Sequence, residues 1–227
     1  MRILCPIATR GRPLRLAGVL HSLTTLASGR HQIEYRVRVD DDDTQTLDIL
    51  PDLEREYGIS SLVKERPITL GQAWNECADS RDWKTWEACV VIADKHLCIT
   101  KNLDTGVEEV MSKDVPCARW TLLRDELETL LILSRKWYDV NKRIFPEWFP
   151  CWFSERWVVE VHTLTFGVGI PRVTNMVMDE PPVKTQGLRD LEFWFDFFAR
   201  TRNMRIMEAR KASAAFGRPM PDIQPLV

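Results

Sequence analysis

Short, nearly continuous apolar runs alternate with amphipathic ones over the first hundred residues. Residues 2–8, RILCPIA, are short and mostly apolar, which predicts a buried strand, with TRGRP as the turn after it. From 14 to 27, Leu14, Ala17, Leu20, Leu23 and Leu26 recur at the spacing of one helix face. A second strand, YRVRV, runs into four consecutive aspartates and a threonine before helical spacing resumes, and Asp or Thr is the natural N-cap there. LVKERP (62–67) reads as a third strand, LGQAWNECADS (70–80) opens another helix, and CVVIA (89–93) is the most apolar strand, ending at Asp94. This alternation predicts a mostly parallel α/β sheet.

In such a sheet ligands bind beyond the carboxyl ends of the strands. The polar clusters fall there: Thr9-Arg10-Gly11-Arg12 after the first strand, Asp40 to Asp43 after the second, Asp94-Lys95-His96 after the fourth. They converge on one edge and mark the candidate site. The second half reads as more helical, with a long helix over 118–140, another over SERWVVEVHTLTF ended by Gly167, and a third over 188–215. The expectation is one domain, with an α/β half over 1–115 and a helical half over 116–227.

Composition narrows the classes. At 227 residues the chain can bury roughly 70% of its surface in one domain. A net charge of −2 gives no field that favours nucleic acid or a membrane surface. The six cysteines show no metal-ligand spacing and read as free thiols in a reducing compartment. No apolar stretch reaches the ~18 residues of a membrane span, and the first apolar run is too short for a signal sequence, so a cytoplasmic protein is expected. Gly167-x-Gly169 is too short for a dinucleotide fingerprint.

Five segments, PIATRGRPLRLAGVLHSL, VRVDDDDTQT, ERPITLGQAWNECA, VVIADKHLCIT and FPEWFPCWFSERWVVEVH, resemble in order and spacing the GT-A glycosyltransferases, in particular family 2-like enzymes common in bacteria and phages. The resemblance covers about residues 1–170 and implies a nucleotide-sugar donor, with UDP favoured, and usually Mn²⁺ or Mg²⁺. By position it assigns Asp40 and Asp41 to the base or ribose, where an acceptor-only carboxylate suits hydroxyls and N–H groups. Asp42 or Asp43 is then left to cap the following helix. Thr9, Arg10 and Arg12 match the loop beside the nucleotide, and a guanidinium forks onto diphosphate oxygens. Gly71 and Asn75 match a G-x-x-x-N at a helix start, the glycine for close backbone approach and the asparagine to reach the donor.

At the metal position the sequence departs from the family. Asp94 matches the essential acid, but Lys95 stands where many relatives carry a second aspartate. Either Asp94 and His96 hold an ion together, with His162 as a third ligand, or Lys95 itself neutralises the leaving diphosphate. For the catalytic base the candidates are Glu155, which matches the family's late acid, and Glu160, which lies ~140° away on a helix. Arg172, Lys184 and Arg189 are further candidate cations. The aromatic residues Trp148, Phe149, Trp152, Phe153 and Trp157 read as core first and as a sugar-stacking wall second. The acceptor is open among a saccharide, a lipid-linked sugar and a modified DNA base. Two other readings stand beside the transferase: a catalytically degenerate nucleotide-binding module, and a nucleotidyltransferase, whose glycine-rich first loop TRGRP fits poorly.

Overall fold

The computed structural model describes residues 1–79, 85–113, 115–123, 131–150, 153–179 and 190–221. β1 (Arg2–Thr9), α1 (Pro13–Leu26), β2 (Gln32–Asp40), α2 (Thr44–Tyr57), β3 (Ser60–Lys64) and α3 (Leu70–Ala78) form the predicted alternation. β4 (Ala88–Val90) and β5 (Ile92–Ala93) continue the CVVIA run. β1 is buried from Ile3 to Thr9 because it lies in the middle of the sheet, between β2 on one side and β4 and β5 on the other. Its neighbours β2, β4 and β5 all run parallel to it, as right-handed helical crossovers require.

The remaining elements are β6 (Leu97–Cys98), α4 (Leu103–Met111), β7 (Cys117–Leu122), β8 (Leu131–Ser134), α5 (Arg135–Asn141), α6 (Ser154–Phe166), β9 (Arg172–Asp179), α7 (Leu191–Arg200) and α8 (Arg202–Ala215). The sheet order is β3-β2-β1-β4-β8-β7-β9-β6, with β5 on β1. β8 is antiparallel to both β4 and β7, so the sheet is mixed. The long helix expected over 118–140 is replaced by β7, β8 and the short α5. From Ala118 to Leu122 burial alternates residue by residue, the period of a strand, and the same apolar residues also fit helical spacing. α6 ends at Gly167 as expected.

Strands β1, β2 and β3 step outward in one direction, and β4 then returns to the other side of β1. That reversal makes the carboxyl end of β1 a topological switch point, where open α/β sheets leave a crevice.

The aromatic run after α5 is core. Phe149 packs against Phe153, Trp157 and Phe198 at centroid distances of 5.8, 6.0 and 6.0 Å, fastening α6 to α7. Trp148 meets Trp157 edge-on at 4.9 Å. Cys5, Cys77, Cys89, Cys98 and Cys117 are buried free thiols. Cys151, Trp152, Lys184 and Arg189 lie outside the described residues. Among the described residues no helix is long and apolar enough to cross a membrane.

Candidate active site

Strand register fixes which residues meet at the switch point. Thr9 pairs with Val39, so the next residues, Arg10 and Asp40, stand level across β1 and β2. Ala8 pairs with Ala93, which sets Thr9 level with Asp94. The side chains follow this geometry. Arg10 Nη1 donates to Asp40 Oδ2 at 2.5 Å, and Thr9 Oγ1 donates to Asp94 Oδ2 at 3.0 Å. Arg12, beyond the turn at Gly11, donates from Nη1 to Asp94 Oδ1 at 3.1 Å. Gly11 adopts φ +62°, a conformation costly for residues with a Cβ, and its N–H donates to Asp43 Oδ2 at 2.7 Å.

The four aspartates divide their work. Asp43 caps α2, accepting from Thr46 N and, at 2.6 Å, from Thr46 Oγ1. Asp42 takes both arms of Arg10, and that hydrogen bonding holds its carboxyl below the usual carboxylate range. Asp40 is buried between Arg10 and the wholly buried Arg38 of β2. Asp41 is exposed, and its N–H donates to Lys64 O at 2.8 Å. Repulsion along the run is thus offset by two arginines and a helix N-terminus. In this arrangement Arg10 gives its fork to Asp40 and Asp42.

Arg38 is a residue the sequence reading passed over. Besides Asp40 it binds Glu76 Oε2 at 3.1 Å and Glu65 O, so it orients the acid at the strand end. The signal was present in Arg36 and Arg38, two charged residues alternating inside an apolar strand, each of which must find a partner when buried.

Gly71 and Asn75 do something other than reach a ligand. A Cβ on Gly71 would lie 2.7 Å from Pro146 O. Buried Asn75 accepts from Ile144 N at 2.8 Å and Phe145 N at 3.1 Å. Its amide donates to Phe145 O and Glu147 Oε1, both at 2.8 Å. Four bonds saturate the side chain. Together the two residues dock the 144–147 segment on α3, ahead of α6.

α6 carries both base candidates, and the structure separates them. Glu160 ion-pairs with buried Arg205 of α8 at 3.0 Å. Glu155 is half-buried in the first turn, close enough to Lys95 for that charge to act on it. Burial pushes its carboxyl up to about 7, against the opposing pull of its own backbone N–H and of Lys95. A carboxyl with that affinity for protons is suited to general-base work near neutrality. Phe153, just before α6, holds φ 70°, unusual for an aromatic residue. Arg172 is exposed at the start of β9.

The expected metal site does not assemble. Divalent ions take several oxygen or nitrogen ligands. Among the described residues no group of three His, Cys, Asp or Glu side chains stands together to hold one. Asp94 accepts one hydrogen bond on each oxygen, from Thr9 and Arg12. His96, 1% exposed and edge-on to Trp120, receives the Ala93 N–H on Nδ1 at 3.2 Å, which leaves the proton of the neutral ring on Nε2. His162 packs between Trp137 and Phe166, with Nδ1 3.2 Å from Val168 O, and burial lowers its pKa to about 4.

No protein-family model matches the sequence, and none of the curated proteins does. Solved structures do. TarS of S. aureus, residues 1–349 in complex with UDP-GlcNAc, superposes with a TM-score of 0.68 at 12% identity over 93% of this chain and 69% of that one. The chain has the GT-A fold. PcManGT, a mannosyltransferase from Pyrobaculum calidifontis in complex with GDP-Man and Mn²⁺, gives 0.64 at 12% identity, over 92% of this chain and 64% of that one. Identity this low carries the GT-A fold alone, and the cluster around Asp94 must support the chemistry by itself.

Proposed function

We propose that the chain is a glycosyltransferase that moves a sugar from a nucleotide-sugar donor to an acceptor hydroxyl. The observation that carries this reading is the convergence, at the switch point of a GT-A fold, of Asp40, Asp94, Thr9 and Arg12 with Lys95 and the raised-pKa Glu155 nearby. TarS and PcManGT, which share that fold, bind UDP-GlcNAc and GDP-Man. A UDP-sugar is the favoured donor. The acceptor belongs to the class of saccharides, lipid-linked sugars or modified DNA bases.

In this reading residues 1–115 serve the donor and 116–227 the acceptor. Asp40 and Asp41 accept hydrogen bonds from the ribose or base, with Arg38 and Arg10 holding Asp40 in place. Glu155 takes the proton of the acceptor hydroxyl as its oxygen attacks the anomeric carbon. The bond from that carbon to the diphosphate breaks, and its electron pair leaves with the diphosphate oxygen. Positive groups fixed before reaction stabilise that growing charge without reorganising.

The test is a thermal-shift screen of UDP, GDP, CDP and dTDP and their sugars. A specific ligand raises the melting temperature by mass action. The expected outcome is a rise with one nucleotide, retained in Glu155→Gln while donor turnover is lost. Nucleotide binding with no turnover by the unaltered chain under any condition would favour the degenerate binding module.

A further inference from the structure

We infer that Asp42 competes with the donor's diphosphate for the fork of Arg10, so that Arg10 binds the donor by trading this carboxylate for phosphate while keeping its hold on Asp40. The inference rests on the glycosyltransferase reading. It names the residue that meets the diphosphate and the residue that limits the donor's affinity. Three observations support it.

First, the fork is already set on an anion. Arg10 meets Asp42 with both arms, Nη1 on Oδ1 and, at 2.8 Å, Nη2 on Oδ2. Two parallel N–H groups match two oxygens of a phosphate as well as those of a carboxylate. The same Nη1 reaches Asp40 Oδ2 at 2.5 Å. A diphosphate that takes the place of Asp42 leaves this second contact intact.

Second, the two aspartates are held with unequal firmness. The Asp40 side chain is 6% exposed, and its other oxygen is bonded to the wholly buried Arg38. Each carboxylate oxygen has two lone pairs, so Asp40 can still accept from a ribose or base. The Asp42 side chain is 56% exposed and Arg10 is 40% exposed. An ion pair so open to water is screened and contributes little stability, and water takes up the released carboxylate. Nor does α2 depend on Asp42, because Asp43 is its cap.

Third, Arg10 has the right place in the crevice. It follows β1, the strand that lies between β2 and β5, so it stands between Asp40 at the end of β2 and Asp94 beyond β5. With the ribose or base at Asp40 and the cluster of Asp94, Thr9 and Arg12 on the far side, a donor laid across the crevice carries its diphosphate past Arg10. A diphosphate bears more negative charge than one carboxylate and wins the fork. A nucleoside has nothing to exchange for Asp42.

Calorimetric titration of the full chain with UDP, GDP, CDP and dTDP, and with the four corresponding nucleosides, in buffer containing Mn²⁺, tests this. We expect Asp42→Ala to tighten binding of the preferred nucleoside diphosphate about two- to fivefold, the size of an exposed ion pair. Asp42→Asn should act in the same direction, and binding of the nucleoside should not change in either variant. Arg10→Ala should weaken diphosphate binding by about tenfold, as loss of a charged fork would. The deciding variant is the double one: Arg10→Ala with Asp42→Ala should bind no more tightly than Arg10→Ala alone, because Asp42 acts through Arg10. A gain from Asp42→Ala that survives without Arg10, or that extends to the nucleoside, would overturn the inference. So would unchanged or weaker diphosphate binding in both Asp42 variants while the parent binds, and these results leave the glycosyltransferase reading standing. Failure of all four nucleotides on the parent and on Asp42→Ala would remove both.

Discussion

Glu155 sets two opposite pH dependences. Its pKa stands near 7 in the folded protein against 4.5 unperturbed, so between these values the folded state holds more protons than the unfolded one. Stability should therefore fall as pH rises from about 4.5 through about 7. Activity should run the other way, because a base works only when deprotonated, and kcat/KM should climb to a plateau above pH ~7. Glu155→Gln should abolish the climb and flatten the stability profile. Paired urea melts and rate profiles across pH would read both, and a wild-type rate profile flat through pH 7 would remove Glu155 as the base. Asn75 makes a second residue-scale case. Asn75→Ala strips the acceptor from two backbone N–H groups, Ile144 and Phe145, and should cost about 2–4 kcal/mol in a denaturation midpoint analysis. A loss below the cost of one ordinary hydrogen bond would show that the segment finds other partners.

Among elements, α3 owes its close seat under the 144–147 segment to a missing side chain. Gly71→Ala gains up to ~1 kcal/mol of helix propensity but drives a methyl group to 2.7 Å from a backbone oxygen. Backbone cannot swing aside as a flexible side chain can, so overpacking should win, with a net loss of about 1–2 kcal/mol. A denaturation curve showing Gly71→Ala more stable than the parent would contradict the packing described. The same motif marks the limit of what the sequence made legible. The β-α alternation, an aspartate cap at Asp42 or Asp43 and the convergence of Thr9, Asp40 and Asp94 were readable because helix and strand periods are local, and a parallel sheet then brings its strand ends to one edge. That Asn75 binds residues about seventy positions away was not readable, since an asparagine at a helix start looks the same whether it faces a ligand or a loop. β7 was misread for a related reason. Its identity as a strand depends on pairing with β8 and β9, contacts that no window of the sequence contains.

For the whole molecule, α6 to α8 decide whether Glu155 keeps its place. Arg205 is buried on α8 with its guanidinium 3.8 Å from the centroid of Phe198, 5.0 Å from that of Trp157 and 3.0 Å from Glu160. One side chain therefore ties α8 to both helices before it. Glu160 supplies its charge partner, and removing that partner leaves a buried cation uncompensated. Because Glu160 retains 29% side-chain exposure, the loss in Glu160→Ala should be about 2–3 kcal/mol, below the range for fully buried pairs. Turnover well below the lowered melting temperature should be close to that of the parent, since Glu160 is occupied holding helices together. Glu155→Gln should show the reverse, with little loss of stability near neutral pH and no transfer. Melting curves and donor turnover on the two variants in parallel decide between the carboxylates. Loss of turnover in Glu160→Ala at unchanged stability would make Glu160 the base.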